Sequence, residues 1–102
     1  MLMTRRKPVP VSEVLIEEFM KPMGLTQAAL AEAMGVQRKH VNELCNDRRN
    51  VTAATALILA RVFGTSPDFW LNLQRRNDLW DAMHDPSKRK RIDRARPLKQ
   101  VA

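Results

Sequence analysis

Gln37, Arg38, Lys39 and Asn42 bring two carboxamides, a guanidinium and an ammonium into one short stretch. The step from Arg38 to Asn42 sets those two on the same side of a helix. Groups of this kind match the edges of nucleic-acid bases: a guanidinium fork bonds guanine O6 and N7 together, a carboxamide fits the N6 and N7 edge of adenine, and a lysine reaches a base or a phosphate. Gln27, earlier in the chain, can offer its amide and its backbone N–H to a phosphate if it opens a helix. Arg48, Arg49 and Asn50 follow the polar stretch and can hold the backbone again, which positions a protein without reading sequence. Glu43 and Asp47 are the opposing charges in this region; Glu43 can accept a bond from cytosine or turn away. An ordinary solvated helix face would use the same residue types, so the reading depends on the elements that carry them.

Those elements are legible in residues 26–44. Leu30 and Met34 lie one turn apart, Val41 and Leu44 repeat the spacing on a second helix, and Ala31 is small where two axes must approach closely. Gly35 stands at the break, where a left-handed backbone is free for glycine. The joint pattern is that of a helix-turn-helix, with a plain helical hairpin as the competing reading.

Around this unit the sequence predicts an all-α domain of five helices. Residues 1–10, with Pro8 and Pro10, lack periodicity and form an arm. Ser12 is placed to cap a first helix whose apolar side is Val11, Leu15, Phe19 and Met23, and Pro22 with Gly24 ends it. Thr26 caps the second helix, and the third runs from about Gln37 to Asn46 or Asp47. Thr52 caps a fourth, residues 53–63, apolar almost all round and therefore expected at the centre, with Gly64 closing it. Ser66 and Pro67 open a fifth with the stripe Phe69, Leu73, Trp80 and Met83. Trp70, Leu71 and Leu79 fall off that stripe. The surplus apolar surface either packs under the tail or meets a partner, and Trp70, Leu71 and Trp80 are the expected contacts of a homodimer. Pro86 is expected to stop the helix. The chain thus divides into an arm (1–10), a helical domain (11–83) and a flexible basic tail (84–102).

The formal net charge is +7, yet residues 84–102 carry seven Lys and Arg against Asp85 and Asp93, so most of the excess belongs to the tail. Nucleic-acid binding must then be argued from the local pattern rather than from the total. No apolar run is long enough to cross a membrane, and no apolar stretch follows Arg5, Arg6 and Lys7 as a secretory signal would require, so a cytoplasmic protein is expected. Cys45 is the sole cysteine and reads as a small packed side chain; His40 and His84 are the only histidines, so neither a disulfide nor a metal cluster is expected. There is no phosphate-binding glycine loop and no nucleophile motif, and His40 and Cys45 stand about 140° apart around a helix. The chain is not read as an enzyme, and no cofactor is implied.

Residues 26–44 resemble the Xre/lambda-repressor-like helix-turn-helix family. A narrower resemblance, to the HigA-type antitoxins, rests on Pro10-Val11-Ser12-Glu13-Val14-Leu15 and above all on Phe63-Gly64-Thr65-Ser66-Pro67-Asp68-Phe69-Trp70-Leu71-Asn72-Leu73-Gln74, with Asp78-Leu79-Trp80 after it. Two positions depart from the family pattern: Val9-Pro10-Val11-Ser12-Glu13 replaces the usual His-Pro-Gly-Glu, and Asn77 stands where an aromatic is common. The resemblance implies a homodimer that binds double-stranded operator DNA in its own promoter and neutralises a RelE-like toxin, an mRNA endonuclease. It also admits a stand-alone or phage-type repressor without a toxin, or an interaction module that no longer binds DNA. The tail's positive charge would repel a basic toxin, which makes Glu13, Glu17 and Glu18 the expected docking face.

Overall fold

A computed structural model describes residues 6–98; residues 1–5 of the expected arm and 99–102 of the expected tail lie outside the described residues. The described residues fold as six helices, one more than expected from the sequence.

Helix α1 spans residues 11–23 as one helical run with a wide middle: a turn of α-helix at Val11–Glu13, π-helix over Val14–Met20, and a last turn at Lys21–Met23. Pro22 has no N–H to give and its ring crowds the carbonyl of Glu18 one turn back, and the turns before it carry i→i−5 bonds such as Lys21 N–H to Ile16 O. The helix therefore runs through Pro22 and stops at Gly24, whose φ is 64°. The wider turn also rotates the apolar stripe. Val11, Val14, Leu15 and Met20 are buried, whereas Met23, expected on the inner face, is 59% exposed.

The start of α1 departs from expectation as well. Pro10 holds the N-cap position without a side-chain bond, and Ser12 sits within the first turn. The cap comes from elsewhere in the chain: the Asp47 carboxylate accepts the backbone N–H of Ser12 at 3.2 Å and the Ser12 hydroxyl. An anion at a helix N-terminus satisfies an orphan donor and the helix dipole together.

Helix α2 (Gln27–Met34) is capped as its sequence predicts, Thr26 Oγ1 accepting from Ala29 N–H at 3.0 Å. Gly35 ends it with φ of 71°, and Val36 N–H returns to Ala31 O at 3.0 Å, which closes the orphan carbonyls of the last turn. Helix α3 (Arg38–Cys45) follows directly, with Gln37 at its N-cap and Asn46 at its C-cap. Helix α4 (Ala53–Phe63) begins at Thr52 and ends at Gly64. It does not lie wholly inside: Ala56 and Leu59 are fully buried, but Leu57 is 59% exposed, because α2 and α5 cover it from one side and leave the opposite face to solvent.

Helix α5 (Pro67–His84) is capped by Ser66 Oγ, which accepts from Phe69 N–H at 3.2 Å. Its Trp70 has no exposed surface. The indole sits against Phe19, Phe63 and Phe69, with ring centres 5.1, 6.0 and 5.1 Å away, and its N–H donates to Thr65 Oγ1 at 2.8 Å. Trp70, expected at a subunit interface, is instead the aromatic centre of this chain's own core, because α1 and α4 close over it. Leu71 and Trp80, the other two expected interface residues, are half-buried, Trp80 stacking on His84 at 3.7 Å.

Pro86 does not stop the chain's helical course. It occupies the first turn of α6 (Pro86–Arg94), a position where a missing N–H costs nothing, and Asp85 caps it. The tail expected to be flexible thus contains a helix. The core is formed by Leu15, Leu30, Val41, Leu44, Leu59 and Trp70, drawn from α1 to α5. Among the described residues no helix is long and apolar enough to cross a membrane.

Candidate nucleic-acid interface

The two helices of the 26–44 unit pack directly on one another. Leu30, Ala31 and Met34 of α2 and Val41 and Leu44 of α3 are buried, which fixes the rotation of α3 about its axis. Arg38, Lys39 and Asn42 then face solvent, and Gln37 stands exposed at the helix start. Neither Arg38 nor Lys39 makes an ion pair among the described residues. The structure therefore gathers the four sequence-predicted base-reading side chains on the early, exposed part of one helix.

Gln27 belongs to the same surface. It is the first residue of α2, where backbone N–H groups lack intrahelical acceptors and favour anions, and its Oε1 accepts a bond from Asn42 Nδ2 at 3.2 Å. The contact ties the Asn42 side chain to the first residue of α2. Asn46 Nδ2 donates to Asn42 O at 2.8 Å, completing the end of α3.

The three positions after α3 differ from one another. Arg48 is exposed and without an ion pair among the described residues. Arg49 is engaged: its Nε and Nη2 reach Glu43 Oε1 at 2.9 and 2.8 Å. That bond, above all, holds the Glu43 carboxyl below its usual range. Glu43 thus turns toward Arg49 instead of standing as a free anion beside a phosphate. Asn50 Oδ1 accepts from Gln74 Nε2 at 3.4 Å, while Gln74 Oε1 takes Val51 N–H at 2.8 Å and its Nε2 also donates to Asp78 at 2.9 Å. Gln74 of α5 pins the loop that carries Arg48, Arg49 and Asn50. The Gln74–Asp78 step is readable as a helical i,i+4 pair; the bonds to Asn50 and Val51 cross 23 or more positions and leave no local trace.

On the inner side of α3, His40 Nε2 is buried without a hydrogen-bond partner. Burial first, and then the Arg49 charge, push its pKa down against the opposing pull of Glu43. Cys45 is partly buried with its Sγ 3.7 Å from Met20 Sδ, and burial with the nearby Asp47 raises its pKa. A protonated thiol packed on a thioether is a poor nucleophile. Among the described residues no three His, Cys, Asp or Glu side chains gather as a metal site.

A short, rigid turn between two packed helices, with an exposed amide and guanidinium row at the start of the second, is the geometry of a major-groove reader. Comparison with known proteins agrees. The helix-turn-helix family model matches residues 16–70. Antitoxin HigA-1 of Vibrio cholerae is 53% identical over 78 residues, 76% of this chain and 73% of that protein. Among solved structures, antitoxin GraA in complex with its operator superposes with a TM-score of 0.84 at 38% identity, covering 98% of this chain and 100% of that one. Antitoxin HigA of Pseudomonas aeruginosa with the higBA promoter gives 0.80 at 35% identity, over 89% and 98%. The chain belongs to the Xre-type helix-turn-helix family, in the group that holds the HigA antitoxins.

Proposed function

We propose that this chain is the DNA-binding antitoxin of a type II toxin–antitoxin pair, a homodimer that represses its own promoter and neutralises a RelE-like mRNA endonuclease. The observation that carries the reading is the exposed row Gln37, Arg38, Lys39 and Asn42 on a helix whose rotation is set by the buried Val41 and Leu44. In this reading Arg38 and Asn42 read base edges, with Gln37 and Lys39 beside them, and Gln27 and Arg48 hold phosphates. Arg49 and Asn50 support the loop at the DNA backbone. Leu71 and Trp80 lie near the contact between subunits, and two-fold symmetry then suits half-sites about 34 Å apart.

The toxin-facing surface is α1. Glu13, Glu17 and Glu18 are exposed there, and a basic RNA-binding protein is drawn to an acidic face and repelled by the cationic end of the chain. The pair Glu17–Lys21, 2.8 Å apart, is a surface bridge that contributes little to the fold. Charge reversal at Glu13 and Glu17 should therefore leave the domain folded and abolish rescue of cells that express the neighbouring small toxin frame. Removing residues 84–102 should leave rescue intact. The reverse pattern would contradict the docking face, and an operon without a toxin frame would leave a stand-alone repressor.

A further inference from the structure

Helix α6 differs from the other five in burying none of its side chains. A helix of nine residues is too short to hold itself in water, and this one is held at its start. Asp85 Oδ1 accepts the backbone N–H groups of Ser87 and Lys88 at 3.0 and 3.3 Å, and the single residue Asp85 separates α5 from α6. The helix is thus capped at its start and follows α5 after one residue.

Its side chains are Lys88, Arg89, Lys90, Arg91 and Arg94 against one acid, Asp93, which takes Arg89 at 3.0 Å. The other four cations spread over about 160° of the circumference, opposite that pair. Ile92, 42% exposed, is the one aliphatic side chain on the helix. Such a surface has no apolar stripe to seat in a groove, and a second copy would meet it with like charge. A row of regularly spaced anions is the partner that fits.

We propose that α6 is a second DNA-binding element, one that binds duplex phosphates while α3 reads bases. The proposal rests on the DNA-binding reading above. Lys88, Lys90, Arg91 and Arg94 contact phosphates, so α6 adds affinity and salt dependence without adding sequence preference.

The test uses the full chain and its variant K88Q/K90Q/R91Q/R94Q, which keeps residues of good helix propensity on a helix that packs nothing. Binding is measured by fluorescence anisotropy on a duplex of the chain's own promoter and on a random duplex of equal length, from about 50 to 200 mM salt. The slope of log K against log salt should be shallower in the variant by about 0.9 for each phosphate no longer neutralised, or roughly 3–4 per chain, on both duplexes. The ratio of promoter to random affinity should not change. An unchanged slope with promoter preference intact would overturn the role of α6 alone. A wild-type chain without promoter preference would overturn the reading beneath it.

Discussion

Asn42 Nδ2 donates to Gln27 Oε1 across 3.2 Å, joining the exposed face of α3 to the first residue of α2. The amides proposed to read a base and to face a phosphate are thereby one hydrogen-bonded unit, so their effects on DNA binding should not add. We expect Gln27→Ala to weaken binding to operator and to random duplex, and Asn42→Ala to weaken operator binding selectively. A double-mutant cycle on operator DNA should show coupling of about 0.5–3 kcal/mol. Additive losses would mean that the contact does not orient Asn42 on DNA.

The Asp47 carboxylate joins the end of α3 to the start of α1 through Ser12, and it does so from a left-handed backbone with φ of 54°. Asp47→Ala removes the cap and leaves a side chain poorly suited to that conformation, at a cost of about 1–2 kcal/mol. For a domain of this size each kcal/mol corresponds to about 4–8 °C in thermal midpoint. Asp47→Gly should fall less, since glycine accepts the backbone. Equal midpoints for wild type and Asp47→Ala would show that the cap contributes nothing.

Much of this architecture is readable in residue types and spacing. Thr26, Thr52 and Ser66 cap the helices they precede, and Gly35 and Gly64 end theirs with φ of 71° and 72°, because caps and left-handed stops are local devices. The outward row on α3 is legible for the same reason, since Val41 and Leu44 fix which side is inside. What escapes a sequence reading is non-local. Pro22 reads as a stop, whereas π-helical bonds carry α1 past it and turn Met23 outward. Pro86 reads as a stop because a proline ends one helix and begins another with equal ease, and only the Asp85 cap settles which. Trp70 reads as surplus surface, since nothing on α5 itself shows that Phe19 and Phe63 close around it.

The burial of Trp70 separates two kinds of tryptophan variant. Trp70→Ala should cost about 3–5 kcal/mol and unfold a domain this small. Leu71→Ala with Trp80→Ala should keep native helix content and shift a micromolar sedimentation profile from dimer toward monomer. A wild-type chain that is monomeric both free and on DNA would contradict the dimer.

Stability should fall on acidification in a manner traceable to α3. Burial above all lowers the His40 pKa in the folded chain, so the unfolded chain takes up the proton first, and stability declines as pH drops below about 6.5 toward the lowered folded value. Glu43, depressed chiefly by its bond from Arg49, adds stability above its unfolded pKa that disappears at lower pH still. Thermal midpoints at about pH 7.5 and 5.5 should differ in the wild type and converge in His40→Gln. An identical acid shift in that variant would assign it to other groups.

If the first turns of α3 read bases while Arg48 only holds the backbone, the two arginines must respond differently to DNA sequence. The direct measurement sets Arg38→Ala and Arg48→Ala against the chain's own promoter duplex and a random duplex at one salt concentration. Arg38→Ala should lose about 1–3 kcal/mol on the promoter and far less on random DNA, collapsing the preference, whereas Arg48→Ala should weaken both alike. Equal losses on the two duplexes for Arg38→Ala would refute base reading by this helix face.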